Sequence, residues 1–201
     1  MVHQGDRPVL IFDAMNLFLR VYSANPAISQ YGHHVGGVVG FLKSMRNIID
    51  KFSPSQIFVV WEGGGSQRRR AIYPEYKHGR KPKRMNKFFD QEIPDTIQSR
   101  NNQIAALISI LKDTPICQVY IGDCEADDVI GYLCKYKLRD KQKFIISSDQ
   151  DYYQLLNDTT RIYRLGRKEI VEADDVLALT GVSSSNYCVA KAAAGDSSDN
   201  I

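Results

Sequence analysis

Lys143-Phe144-Ile145-Ile146-Ser147-Ser148-Asp149 joins a short β-branched and aromatic run to a polar end that closes on an acid. A run of this length and composition suits a strand buried on both faces. The same grammar recurs along the chain. Val9-Leu10-Ile11-Phe12 ends at Asp13, and Gln56-Ile57-Phe58-Val59-Val60-Trp61 ends at Glu62. Ile116-Cys117-Gln118-Val119-Tyr120-Ile121 ends at Gly122-Asp123, and Arg161-Ile162-Tyr163-Arg164-Leu165 follows the acidic turn after residue 146. Between these runs lie helical patterns. Residues 35–52 place Val38, Val39, Leu42, Met45, Ile48 and Ile49 at 3-4 spacing, and residues 104–111 and 126–138 repeat the spacing. Strands alternating with helices predict an α/β fold: a central, mostly parallel sheet with helices on both faces.

In an open parallel sheet, ligands bind beyond the carboxyl ends of the strands. Those ends carry Asp13, Glu62, Asp149 and Asp151, and Glu125-Ala126-Asp127-Asp128 follows the third strand and opens a helix. Glu125 and Asp128, three apart, share one helical face. Acids gathered at one sheet edge repel, so either some hold protons or cations neutralise them. Oxygen donors without His or Cys nearby select Mg²⁺ or Mn²⁺ over zinc. The bland alternative is helix capping. The chain contains its own control, because Glu-Ala-Asp-Asp-Val occurs at 125–129 and again at 172–176. The second copy precedes a short apolar run with a Gly stop and reads as a cap; the first, beside the other strand-end acids, reads as functional. Gly195-Asp196-Ser197-Ser198-Asp199-Asn200, taken alone, reads as a solvated turn.

At 201 residues, 43% apolar and 24% charged, the chain is globular rather than disordered. No run approaches the ~18–20 apolar residues of a membrane span, and no basic-then-apolar leader opens it. Four cysteines without metal spacing point to a reducing compartment, and cytoplasmic localisation is expected. The net charge of +3 hides an asymmetry: residues 68–87 hold nine cations against one acid, Glu75, which leaves the remainder at −5. A basic strip on an acidic body invites a polyanion at one place and cations at another. The strip falls within residues 63–100, a Gly- and Pro-interrupted insertion too long for an ordinary loop.

Five motifs, in order, resemble those of the flap-endonuclease type of 5′-nuclease. They are Leu10-Ile11-Phe12-Asp13, Tyr73-Pro74-Glu75-Tyr76-Lys77-His78-Gly79-Arg80, Glu125-Ala126-Asp127-Asp128, Ile146-Ser147-Ser148-Asp149-Gln150-Asp151 and Gly195-Asp196-Ser197-Ser198-Asp199-Asn200-Ile201. The family includes phage 5′→3′ exonucleases and the N-terminal nuclease domain of bacterial DNA polymerase I. The resemblance implies a PIN-like core over residues 1–185 containing an arch-like insertion at 63–100. Residues 186–201 would begin a helix–hairpin–helix region that is cut short.

It also implies a metal-dependent hydrolysis of phosphodiester bonds with two Mg²⁺ or Mn²⁺ ions. Asp13, Glu125, Asp127 and Asp128 would form the tighter site. Asp149 and Asp151 would bridge toward a second, which Asp196 and Asp199 complete. Glu62 stands where the family usually has Asp, one methylene longer. Lys77 and Arg80 match the pair that approaches the scissile phosphate. Arg68, Arg69, Arg70, Lys81, Lys83, Arg84 and Lys87 would contact backbone phosphates, and Tyr76 would stack on a base or pack. The implied partner is DNA with flapped, nicked or single-stranded 5′ ends, or an RNA–DNA hybrid. Two alternatives stand beside this reading: a non-catalytic nucleic-acid-binding half-protein that needs a second chain, and a PIN-type ribonuclease.

Overall fold

The computed structural model describes residues 7–65, 67–78 and 96–195. The strands are β1 (Val9–Asp13), β2 (Gln56–Val60), β3 (Cys117–Val119), β4 (Lys143–Ile146), β5 (Thr160–Arg164) and β6 (Glu169–Val171). The α-helices are α1 (Ala14–Ala24), α2 (Gly36–Phe52), α3 (Gln67–Ile72), α4 (Ile97–Lys112), α5 (Ala126–Tyr132), α6 (Ala173–Thr180) and α7 (Tyr187–Ala194). The sheet order is β3-β2-β1-β4-β5-β6. All neighbours are parallel except β5 and β6, which are antiparallel.

All five residues of β1 are buried, as a central strand covered on both faces requires. Val9 and Ile11 enter a core with Ile145, Ile162, Ile130, Val176 and Tyr187, which α5, α6 and α7 close. Leu10 and Phe12 enter the opposite core with Phe18, Phe41 and Leu107, closed by α1, α2 and α4. The expected mostly parallel sheet with helices on both faces is therefore present. From β1 the chain builds outward to β2 and β3, then crosses back to lay β4 on the other side of β1. The reversal opens a crevice at the carboxyl ends of β1 and β4, where such sheets place their ligands.

Helix α2 has no side-chain cap of its own. The buried Gln103 of α4 supplies one, accepting from Gly37 N–H at 2.8 Å and Val38 N–H at 3.3 Å. A Cβ at Gly37 would lie 2.5 Å from the Phe18 ring, so the glycine admits the close approach of α1 to α2.

Two expectations are corrected, and one strand is added. The strand at 116–121 ends at Val119, because the chain turns there: Cys124 N–H bonds Ile121 C=O, Asp123 N–H bonds Gly63 C=O, and Tyr120 and Ile121 are exposed. The helix at 126–138 changes at Leu133 into a π-turn, Leu133–Lys137, closed by Leu138 N–H to Leu133 C=O at 2.8 Å. The three-residue β6 was not anticipated; it is short and has no run of its own to announce it. Of the insertion at 63–100, α3 and the flanking turns are described, whereas 66 and 79–95 lie outside the described residues. So do 196–201.

Candidate active site

Asp13 closes β1 and caps α1, its Oδ1 accepting from Asn16 N–H at 3.0 Å. Its Oδ2 accepts from Ser147 Oγ at 3.2 Å and from Tyr152 Oη at 3.1 Å. Burial pushes this carboxyl above its ordinary range against those hydrogen bonds, and the nearby charge of Asp149 adds to the push. Asp149 caps the 3₁₀ turn Gln150–Leu155 by accepting from Asp151 N–H at 3.0 Å, and its own N–H donates to Ser147 Oγ. Asn16 Oδ1 accepts from both the N–H and the hydroxyl of Ser148. The ends of β1 and β4 are thus joined across the crevice by Ser147, Ser148 and Asn16.

Glu125, at the start of α5, is 4% exposed. Three groups from or beside α3 converge on it: Lys77 Nζ and Arg69 Nη1, each 2.7 Å from Oε2, and Tyr76 Oη, 3.1 Å from both oxygens. Burial alone would raise this carboxyl, but the hydrogen bond and charge of Lys77 and the charge of Arg69 outweigh it and hold it below its ordinary value. Arg69 also pairs with Asp128, Nη2 to Oδ1 at 2.7 Å. Lys77 adopts φ 54°, a left-handed conformation that costs a residue with a Cβ about 1–2 kcal/mol. Its ammonium stays protonated, because the bonds to Glu125 and Tyr76 outweigh the downward pull of burial.

Asp127 is pushed up to about 6, first by burial and then by the charges of Asp128 and Glu125. Glu62, just past β2, accepts from Ala126 N–H at 3.4 Å and is raised by burial and by the charge of Glu125. The Tyr152 phenol, buried and raised well above 10, feels Asp13, Asp127 and Asp149 together. Asp151 pairs with Lys191 of α7 at 3.5 Å. The fold therefore brings Asp13, Glu62, Glu125, Asp127, Asp128, Asp149 and Asp151 to one end of the sheet. Among the described residues no three acids converge on a single point as ligands; Arg69 and Lys77 stand within the cluster. The donor set, oxygen throughout, with Asp13, Glu62 and Asp127 raised first by burial and further by neighbouring acids, fits hard divalent cations.

The repeated pentapeptide divides by environment. In the second copy Asp175 reaches back to Glu172 N–H at 2.8 Å and Glu172 pairs with Arg161, so both acids serve the helix start and the adjoining strand. In the first copy Glu125 and Asp128 turn instead to Lys77 and Arg69. Identical residues thus cap in one place and build a charged site in the other.

One open role is narrowed and one changes. Of stacking on a base or packing, Tyr76 packs: it is 6% exposed, and its hydroxyl is engaged by Glu125 and Arg69. Arg69 was placed on the phosphate-binding strip, yet it faces inward to two carboxylates, while Arg68 and Arg70 lie beside it on α3. Arg80, Lys81, Lys83, Arg84, Lys87, Asp196 and Asp199 lie outside the described residues. Asn16, Ser147 and Tyr152 escaped the sequence reading. The only local signal was Asn16, three residues after Asp13, where a capped helix start places its N–H.

Residues 8–181 match the family described as the 5′-3′ exonuclease, N-terminal resolvase-like domain. The chain is 28% identical to a 5′-3′ exonuclease of Buchnera aphidicola (subspecies Schizaphis graminum) over 100% of this chain and 67% of the relative. It is 29% identical to the flap endonuclease Xni of Psychromonas ingrahamii over 88% of this chain and 69% of that protein. A bacteriophage T5 protein co-crystallised with metal ions shares the fold at a TM-score of 0.78 and 20% identity, over 96% of this chain and 68% of the other. The same phage's flap endonuclease in a pseudo-enzyme–product complex with DNA and metal ions superposes at 0.75, again at 20% identity. The chain spans about two thirds of the length of these relatives.

Proposed function

The chain belongs to the 5′-3′ exonuclease family, whose members are nucleases, and on that premise we propose that it hydrolyses phosphodiester bonds of DNA at 5′ ends or flaps with divalent cations, in replication or repair. The observation that carries this reading is the placement of seven carboxylates at one end of the sheet, around the crevice that opens between β1 and β4. Asp13, Glu125, Asp127 and Asp128 would hold one Mg²⁺ or Mn²⁺, and Asp149 and Asp151 would hold a second with Asp196 and Asp199. Bound there, the ions would lower the pKa of a water and stabilise charge on the phosphate and leaving oxygens.

The chain's own cations have a separate task. Lys77, fixed by Glu125 and Tyr76, offers its remaining N–H donors toward a phosphate that enters beside the carboxylates, where preorganised charge acts best. Arg69 helps Lys77 keep Glu125 ionised and, through its pairs with both, orients Glu125 and Asp128. Ser147, Tyr152 and Asn16 hold Asp13 and the Asp149 turn in register. The other cations of the 68–87 strip would add backbone contacts that position a strand without reading its sequence.

Cleavage of a 5′-flap substrate in Mg²⁺, wild type against Asp149→Asn, tests the proposal. Wild type is expected to cleave and the variant to fall to background while keeping its thermal midpoint in EDTA. Equal cleavage by both would remove Asp149 from the chemistry. No cleavage by wild type, given intact strand binding, would favour the binding-only reading.

A further inference from the structure

A cleft of about 1050 Å³ runs from Asp127, Asp128 and Asp151 along the outer face of α5 and its π-turn. Its far wall is aromatic. Tyr132 and Tyr136 are 51% and 66% exposed, their ring centroids lie 5.3 Å apart at 36°, and Tyr73 faces the cleft from the end of α3. Large exposed rings scattered singly over a surface call for no explanation; three on one cleft do. The π-turn begins immediately after Tyr132, and Lys135 and Tyr136 both front the cleft from it. Such widened turns gather at functional sites. At 1.5 Å per residue, Tyr132 and Tyr136 stand about 6 and 12 Å along the helix from Asp128, one and two steps removed from the carboxylates.

We propose that Tyr132 and Tyr136 form a stacking platform for one or two unpaired bases of the strand whose phosphate lies at the carboxylate cluster, with Lys135 contacting the adjoining phosphate. The proposal rests on the nuclease reading, because it assumes that a nucleic-acid strand reaches the acids. Position selects this occupant over a polypeptide. Lys135 falls between the two tyrosines in sequence and fronts the same cleft, Arg69 is committed to Glu125 and Asp128, and the lining acids Asp127, Asp128 and Asp151 belong to the carboxylate cluster with which the cleft is continuous. Aromatic faces interleaved with cations are how unpaired strands are held without regard to sequence.

The test uses a short oligodeoxythymidylate in EDTA, so binding is read without catalysis. Replacing both rings (Tyr132→Ala with Tyr136→Ala) is expected to weaken binding at least about fivefold, the lower end for loss of a single stacked base. The slope of log K against log[salt] should not change. The paired Tyr→Phe replacements should bind as wild type does. Lys135→Ala should flatten the slope by about 0.7, one phosphate contact to a single strand. Nitration of Tyr132 and Tyr136, located by mass spectrometry, should be rapid in the free protein and suppressed by the oligonucleotide.

Unchanged affinity in the double-alanine variant would overturn the platform. So would nitration indifferent to the oligonucleotide, or tyrosines already protected without it, which would mean that polypeptide covers them. Flap cleavage in Mg²⁺ is scored separately: a chain that cleaves with unaltered binding in the double variant loses the platform and keeps the nuclease, and the reverse result does the opposite.

Discussion

Two lysines show how one residue type is set to different tasks by its surroundings. Lys77 has an anion at 2.7 Å, and its charge is secured. As the residue proposed to face the phosphate, it should matter to the rate more than to affinity. Lys77→Ala is expected to lower the cleavage rate about 10²–10³-fold, the usual loss when one preorganised donor is removed, with strand affinity within about threefold. An equal loss in rate and affinity, followed by single-turnover cleavage and anisotropy, would make it a simple binding contact. Lys143 lies at the other end of the sheet and is 0% exposed. It donates to Lys141 C=O at 2.9 Å and Thr159 Oγ1 at 3.0 Å, and burial lowers its pKa despite help from Cys134 and Asp140. A lysine whose folded pKa is below its unfolded 10.5 binds protons more readily when unfolded, so stability rises with pH through that window. Relative to Lys143→Met, the wild type should gain stability as pH climbs from neutral toward 10.5. A difference between the two urea curves that does not vary with pH would show that the buried ammonium carries no penalty.

Among the elements, the fold depends on partnerships that one-dimensional patterns do not display. Helix α2 starts at glycines with no cap of its own, and Gln103, more than sixty residues away, closes it from α4 while sharing its amide with His34. Gln103→Leu leaves the buried N–H of Gly37 and the half-buried N–H of Val38 without that acceptor. It should cost about 1–3 kcal/mol, seen as a lower urea midpoint with unchanged m; a shift below 0.5 kcal/mol, roughly the scatter of surface substitutions, would mean water or Ser99 replaces the cap. The same logic explains which parts of the molecule were legible in the sequence. β1, β2, β4 and β5 announced themselves because burial on both faces demands continuous apolar runs, and the acids that follow β1, β2 and β4 marked the site. Arg69, Tyr76 and Tyr152 did not, because their roles depend on meetings across 49 to 139 residues of chain. Arg69 in particular looks like its neighbours Arg68 and Arg70 until α3 turns it toward Glu125. The third strand was overextended because Tyr120 and Ile121 carry β-forming side chains into a turn set by backbone bonds to Gly63 and within 121–124.

At the scale of the whole molecule, the acids come from both sides of the reversal in the sheet: Asp13 and Glu62 from the β1–β2 half, Asp149 and Asp151 from the turn after β4, and Glu125, Asp127 and Asp128 from the helix between. Cations bound among them would therefore tie the two halves together and stabilise the folded state against the unfolded one. Without divalent ions Asp13, Glu62 and Asp127 are raised first by burial and then further by neighbouring acids, Asp149 on Asp13, Glu125 on Glu62, and Asp128 and Glu125 on Asp127. Removing one acid should then have opposite effects in the two conditions. In EDTA, Asp149→Asn relieves repulsion on Asp13 and should leave the thermal midpoint equal to wild type or slightly higher. In Mg²⁺ at about a hundred times its Kd, wild type should gain about 2.7 kcal/mol, or about 5–10 °C for a chain of this size, and the variant should gain clearly less. The order of the two melting curves should therefore reverse on adding Mg²⁺. A constant order in EDTA and in Mg²⁺ would show that Asp149 holds no ion, whatever its place beside Asp13. Ca²⁺, a hard cation with the same preference for oxygen but looser geometry, should produce the same reversal in stability, which separates binding of the ion from the chemistry it supports.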